Sequence, residues 1–184
     1  VDWRRYERNG DLQVRTDVDR SGHPVHILLD RSASMGLGDP PKIDYARRLA
    51  AALSFCALQA GHPVGLVAFA GADGDVLSAR SGIQWMGPLL TFLEGLRAGG
   101  ATSLREGLNA ALAGRRGRGR IVLISDLLDP AGPTAGLDAL AGPRRAVDVV
   151  EVVASGERSL PVGDTVDALD AETGQVRTFT VDAE

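Results

Sequence analysis

The chain has a single cysteine, a single lysine and no long apolar run. One cysteine, Cys56, leaves no internal disulfide and no cysteine-based zinc site, and it suits a reducing compartment such as the cytosol. Its apolar helical surroundings predict a small buried core residue rather than a reactive thiol. No segment approaches the ~18–20 continuous apolar residues that span a bilayer. The most apolar stretch, 49–60, is too short and is interrupted by Ser54 and Gln59. There is no signal-peptide pattern at the start. The first residue is Val1, within a charged segment, so the chain is expected to be a piece of a longer protein whose remainder could carry an anchor. Positive charge is also lacking: the net charge is −4. The arginine-rich segment 115–120 has no interleaved aromatic residues to stack bases, so it reads as a solvated loop and no nucleic-acid partner is expected. No glycine-rich loop ends in Lys-Ser/Thr, which excludes a P-loop ATPase. His23, His26 and His62 are scattered and suggest structural roles, not a triad or a zinc site.

What is present is a soluble-domain composition, 44% hydrophobic and 24% charged over 184 residues, enough for one real core. Residues 1–22 are polar and read as an arm or edge segment; 23–184 read as one domain. Val25-His26-Ile27-Leu28-Leu29 is a buried strand. Pro40 and Pro41 favour a helix start, with Asp44 suited to its dipole. Ile43, Ala46, Leu49, Ala50, Leu53 and Ala57 recur at helical spacing up to a stop at Gly61. A second strand spans 64–70, with 76–79 returning as a short antiparallel edge. Helices are predicted over 85–96 and 103–112, and a short one over 137–141. Ile121-Val122-Leu123-Ile124-Ser125 is continuous enough for a parallel strand buried on both faces. A further strand is predicted over 147–153, and 165–169 with 176–181 form a C-terminal hairpin. The fold class is therefore α/β: a doubly wound, mostly parallel central sheet with helices on both faces.

Oxygen donors cluster at strand ends in this scheme. Asp30, Ser32 and Ser34 occupy alternate positions in the turn leaving the first strand. Gly99-Gly100-Ala101-Thr102-Ser103 delivers a hydroxyl at a helix start, and Asp126 follows the 121–125 strand. Loops after neighbouring central strands meet at the switch point of a doubly wound sheet. Carboxylates and neutral hydroxyls make a hard, oxygen-only site suited to Mg²⁺ or Mn²⁺. Each residue also has an ordinary explanation. Ser32 and Ser34 could cap turns, Thr102 or Ser103 could be an N-cap with Glu106 completing a capping box, and Asp126 could cap the segment after its strand. Asp129 is a possible outer-sphere group, though a turn or cap role suits it better.

Asp30-x-Ser32-x-Ser34, Thr102 and Asp126 together resemble the metal-ion-dependent adhesion site of von Willebrand factor type A (VWA) domains. More narrowly, the chain resembles the bacterial "domain of unknown function 58" family, often linked with MoxR-type AAA+ ATPases. The resemblance begins at Asp2-Trp3-Arg4 and Gly10-Asp11-Leu12. It runs through Lys42, Tyr45-Ala46-Arg47-Arg48-Leu49-Ala50 and Gly65-Leu66-Val67-Ala68-Phe69 to Asp170-Ala171-Glu172-Thr173-Gly174. One departure is Ser103, where an acidic residue is expected after the threonine. The resemblance implies a VWA-like fold and a bound Mg²⁺ (or Mn²⁺ or Ca²⁺). Ser32, Ser34 and Thr102 would touch the ion, with Asp30 and Asp126 acting largely through water. A partner protein's acidic side chain would complete the site.

The expected function is thus a non-enzymatic, metal-dependent protein-binding module, an adaptor for a MoxR-type ATPase, located in the cytoplasm with no membrane contact by this segment. Two alternatives stay open. One is a phosphoryl-transfer enzyme with Asp30 as nucleophile, although Ser32 stands where its second acid is wanted and Lys42 is the only lysine. The other is a metal-free scaffold of the same fold.

Overall fold

The computed structural model describes residues 22–101, 103–113, 119–132, 134, 136–140, 145–157, 165–170 and 175–180. The proposed arm, Thr102 and most of the 115–120 loop lie outside the described residues. In chain order the elements are β1 (Val25–Asp30), α1 (Lys42–Gln59), β2 (Val64–Ala70), β3 (Asp73–Arg80), α2 (Met86–Gly95), α3 (Leu104–Leu112), β4 (Gly119–Ser125), β5 (Arg145–Glu151), β6 (Thr165–Leu169) and β7 (Val176–Thr180). Short 3₁₀ turns lie at Ala33–Gly36, Ile83–Trp85, Leu137–Leu140 and Ser155–Glu157.

The central sheet runs β3-β2-β1-β4-β5, and β6-β7 form a separate antiparallel pair. β1 is parallel to both β2 and β4, β4 is parallel to β5, and only β3 is antiparallel. After β1 the chain builds outward through β2 and β3, then returns to the opposite side of β1 to lay down β4 and β5. The switch point of this doubly wound sheet is therefore the crevice between β1 and β4, outside their carboxyl ends.

The period-2 alternation of the buried strands sorts their side chains onto two faces. Val25, Ile27 and Leu29 of β1 join Leu66 and Ala68 of β2 beneath Ile43, Ala46 and Ala50 of α1 and Leu89 and Leu93 of α2. Leu28, Val67, Phe69 and Leu123 face the other way, under Leu104, Leu108 and Ala111 of α3. Helices thus cover both faces. On the α3 side the approach is close: a Cβ built on Gly107 would lie 2.3 Å from Cδ2 of Phe69.

α1 begins directly after Pro41, with Asp44 in its first turn. It ends as expected at Gly61, whose φ is 84°. There the His62 amide donates to the Ala57 carbonyl and the Gly61 amide to the Leu58 carbonyl, the Schellman arrangement that uses up terminal carbonyls.

Several boundaries differ from the sequence reading. β3 begins at Asp73, three residues before the predicted 76–79 edge, because β2 offers a free edge as far as Ala70, which pairs with Asp73. The 85–96 helix starts with a 3₁₀ turn, and Leu137–Leu140, within the predicted 137–141 helix, form a 3₁₀ turn; residue 141 lies outside the described residues. β5 lies two residues earlier than expected, its register fixed by β4 from Gly119↔Arg145 to Ser125↔Glu151. Cys56 is exposed rather than buried: it lies on the outward side of α1, while Ser54 takes a core position by donating its hydroxyl to the Ala50 carbonyl at 2.7 Å. Among the described residues no helix is long and apolar enough to cross a membrane.

Candidate metal centre

β1 ends at Asp30 and β4 at Ser125, with Asp126 next. The parallel pairing of the strands therefore delivers these side chains to one edge of the sheet. Asp30, Ser32, Ser34, Ser125 and Asp126 are all buried, as is Lys42 at the start of α1. Most of the buried polar side chains of the described residues converge here; Ser54 is the exception. Burying polar groups together is costly unless they satisfy one another, and here they largely do.

Asp30 Oδ1 accepts the Ser32 amide at 2.9 Å, and Oδ2 accepts the Ser125 hydroxyl at 2.6 Å. Ser125 Oγ in turn accepts the Leu127 amide at 3.0 Å. The Ser32 and Ser34 hydroxyl oxygens lie 3.0 Å apart. Ser32 stands at the N-cap of the Ala33–Gly36 turn but makes no side-chain cap bond; its hydroxyl pairs with that of Ser34 instead. The Asp126 carboxylate accepts the Leu128 amide through Oδ1 at 3.2 Å, while Oδ2 lies 2.8 Å from the Lys42 ammonium.

Burial pushes the Asp30 carboxyl above its usual range and the nearby Asp126 charge adds to this, against the lowering effect of the Ser125 and Ser32 hydrogen bonds. Burial pulls Lys42 down, but hydrogen bonds to Asp126 and Glu157 outweigh it and hold the ammonium above the ordinary lysine range.

Backbone hydrogen bonds bring the second loop to the first. The Ala33 amide donates to the Gly100 carbonyl at 3.0 Å and the Gly99 amide to the Arg31 carbonyl at 2.7 Å. Thr102 itself lies outside the described residues, but the two glycines leading to it are laced onto the Asp30–Ser34 turn. Ser103 is the N-cap of α3, its hydroxyl accepting the Glu106 amide at 3.4 Å. Asp129 is used structurally: its carboxylate accepts the Leu104 amide at the start of α3 and the Ala131 amide of its own turn, each at 2.7 Å. Of the predicted site residues, Asp30, Ser32, Ser34 and Asp126 thus come together at the β1/β4 edge.

Three participants escaped the sequence reading. Ser125 had a weak signal, a hydroxyl in the last position of a buried strand. Lys42 had a stronger one, as the only lysine of the chain placed at a helix start, where a cation meets the positive end of the dipole. Glu157, whose Oε1 lies 2.5 Å from Lys42 Nζ, is 115 residues from it and carried no local signal.

The donor set can be tested against a small divalent ion. Among the described residues no three His, Cys, Asp or Glu side chains gather as a ligand set, so hydroxyls would have to supply inner oxygens. An octahedral ion with ~2.1 Å bonds needs neighbouring ligand oxygens about 3.0 Å apart, which is the Ser32–Ser34 separation. Asp126 Oδ2 is buried and lies 2.8 Å from the Lys42 ammonium, so an ion at this oxygen would share it with that cation. These oxygens fit Mg²⁺ or Mn²⁺.

The chain is similar to several known proteins. An uncharacterised protein of Mycobacterium tuberculosis is 32% identical over 188 residues, covering 99% of this chain and 59% of that protein; the chain thus spans about three-fifths of the relative's length. An aerotolerance-related membrane protein of Bacteroides fragilis shares the fold, with TM-score 0.55 and 23% identity over 87% of this chain and 82% of its own. The VWA domain of SpRpn10 also matches, with TM-score 0.46 and 16% identity over 71% of this chain and 89% of its own. The family described as "Protein of unknown function DUF58" matches residues 1–184 from end to end, and this chain belongs to it.

Proposed function

We propose that this domain is a metal-dependent protein-binding module. Asp30, Ser32, Ser34, Thr102 and Asp126 would hold Mg²⁺, with Mn²⁺ or Ca²⁺ as substitutes, in the manner of the adhesion site of VWA domains. The observation that carries the reading is the buried meeting of Asp30, Ser32, Ser34 and Asp126 at the β1/β4 switch point, with the two hydroxyls at the spacing of an octahedral edge. When bound, the ion would supply an electrophilic position for an oxygen ligand from outside. The chain's own part is to hold that position rigidly: Asp30 is fixed from both oxygens, and Gly99 and Gly100 are pinned to the turn by backbone bonds. Two carboxylates acting partly through water leave such an ion under-neutralised, which favours an acidic side chain of a partner. Leu37 and Leu128, both exposed, stand three residues beyond Ser34 and two beyond Asp126 and offer apolar contact beside the site.

A phosphoryl-transfer reading is disfavoured by the same geometry. Ser32 replaces the second acid that chemistry needs, and Lys42 is buried between two carboxylates instead of facing a phosphate. The family resemblance further suggests an adaptor for a MoxR-type AAA+ ATPase, working in the cytoplasm.

The test is titration calorimetry of the purified chain with Mg²⁺ and Mn²⁺. Wild type is expected to bind one ion and Asp30→Ala none. Absence of binding by wild type, or unchanged binding by Asp30→Ala, removes the reading. Where binding holds, capture of partners with and without chelator identifies the protein ligand.

A further inference from the structure

Lys42 sits where a lysine is least expected. It opens α1, where the dipole repels a cation, and it is 2% exposed, although an isolated buried ammonium is strongly disfavoured. Its position is held from two sides. Nζ lies 2.8 Å from Asp126 Oδ2 and 2.5 Å from Glu157 Oε1. Glu157 is anchored in turn, its Oε2 accepting the Ala154 amide at 2.8 Å. One ammonium thus ties together the start of α1, the loop after β4 and the turn after β5. It does so at the carboxylate that the candidate metal centre needs.

We propose that Lys42 is the internal counter-cation of this centre: its ammonium neutralises Asp126 when no divalent ion is bound, and its charge weakens the binding of that ion. The inference rests on the metal-centre reading above and deepens it. An ammonium in contact with a carboxylate oxygen supplies the same compensation that a divalent cation would, and two cations sharing one carboxylate repel each other. The fold then stands without metal, and the ion exchanges instead of being locked in. The positive excess left on the loaded centre draws an external carboxylate. Glu157 acts in the opposite sense: by sharing the ammonium it loosens the hold of Lys42 on Asp126 and adds negative charge close by.

The experiment compares wild type, Lys42→Met, Lys42→Arg and Glu157→Gln by Mg²⁺ and Mn²⁺ calorimetry and by thermal melting with and without metal. Lys42→Met is expected to bind Mg²⁺ about tenfold or more tightly than wild type, because a repelling charge is removed. Its melting temperature falls without metal, and saturating Mg²⁺ closes most of the gap. Lys42→Arg restores the wild-type affinity, and Glu157→Gln weakens binding several-fold. The opposite directions of Lys42→Met and Glu157→Gln separate a counter-cation from a merely structural ion pair, which would lower the melting temperature equally with and without metal and leave affinity unchanged. That latter pattern overturns the inference. If Lys42→Met does not fold, Glu157→Gln decides alone, and wild-type affinity in that variant overturns it too. Wild type binding where Asp30→Ala does not, with all Lys42 and Glu157 variants unchanged, leaves the metal centre standing and removes only the role of Lys42. Absence of binding by wild type removes both.

Discussion

Strand β4 has an ion pair at each end, and the two could hardly differ more in setting. At its amino end Arg120 reaches Asp148 of β5 with Nε 2.5 Å from Oδ2 and Nη2 2.9 Å from Oδ1, a two-point contact. Those side chains are 57% and 40% exposed. Just past its carboxyl end, Asp126 meets Lys42 with both side chains 1% exposed. The first pair has the better fork geometry, yet water and salt screen it, so it contributes little to stability. The second is a desolvated pair whose members cannot be removed singly without leaving a buried charge. Among the described residues buried polarity is concentrated at one edge of the sheet, and that edge is the one where doubly wound sheets bind ligands.

The contrast can be broken at its strongest point first. Without metal, Lys42→Met leaves Asp126 unpaired in the interior and is expected to lose about 3–5 kcal/mol in urea unfolding. A loss below about 1 kcal/mol would make the buried pair equivalent to the surface one.

Asp30 sharpens the comparison because its effect has the opposite sign. Its carboxyl is held above the ordinary range by burial, so the folded state prefers it protonated. Its contribution is fully present below the unfolded pKa and is lost as pH rises through the raised folded one. In chelator, wild type is expected to gain stability relative to Asp30→Asn as pH falls through the raised folded pKa, read by urea unfolding across the acid range. Equal pH profiles for the two proteins would contradict this.

The smallest effect belongs to the exposed pair. Asp148 is lowered below its usual range first by the Arg120 hydrogen bond and then, against some desolvation, by its charge. Its contribution is present above the unfolded carboxylate pKa and is lost as pH falls through the lowered folded one. Asp148→Asn should move the neutral-pH urea midpoint barely measurably, and high salt should erase the difference.

The two ends of β4 also show what the sequence could and could not disclose. Continuous apolar runs revealed β1, β2 and β4, and the donors that follow them, Asp30, Ser32, Ser34 and Asp126, were legible because strand ends in a parallel sheet converge. The apolar pattern points two residues beyond β5 because β5 is an edge strand: Val147 and Val149 are exposed while Val152, beyond its end, is buried. The pattern understates β3 because Asp73 and Gly74 are poor strand formers, and only pairing with β2 recruits them. The exposure of Cys56 is not legible because the small and apolar residues of α1 encircle the helix, blurring which side faces the sheet. Lys42 and Glu157 stayed hidden for a different reason. Their partnership bridges 115 residues, and no local period or motif encodes a contact made only when α1, β4 and β5 are already in place.

The central claim is that the Asp30–Ser34 turn holds a divalent ion. Anomalous diffraction from a crystal of this chain soaked in Mn²⁺ tests it most directly. One Mn²⁺ peak is expected within about 2.2 Å of both the Ser32 and Ser34 hydroxyl oxygens, absent in Asp30→Ala. No peak at that edge under saturating Mn²⁺, with the two hydroxyls still bonded to each other, would contradict it.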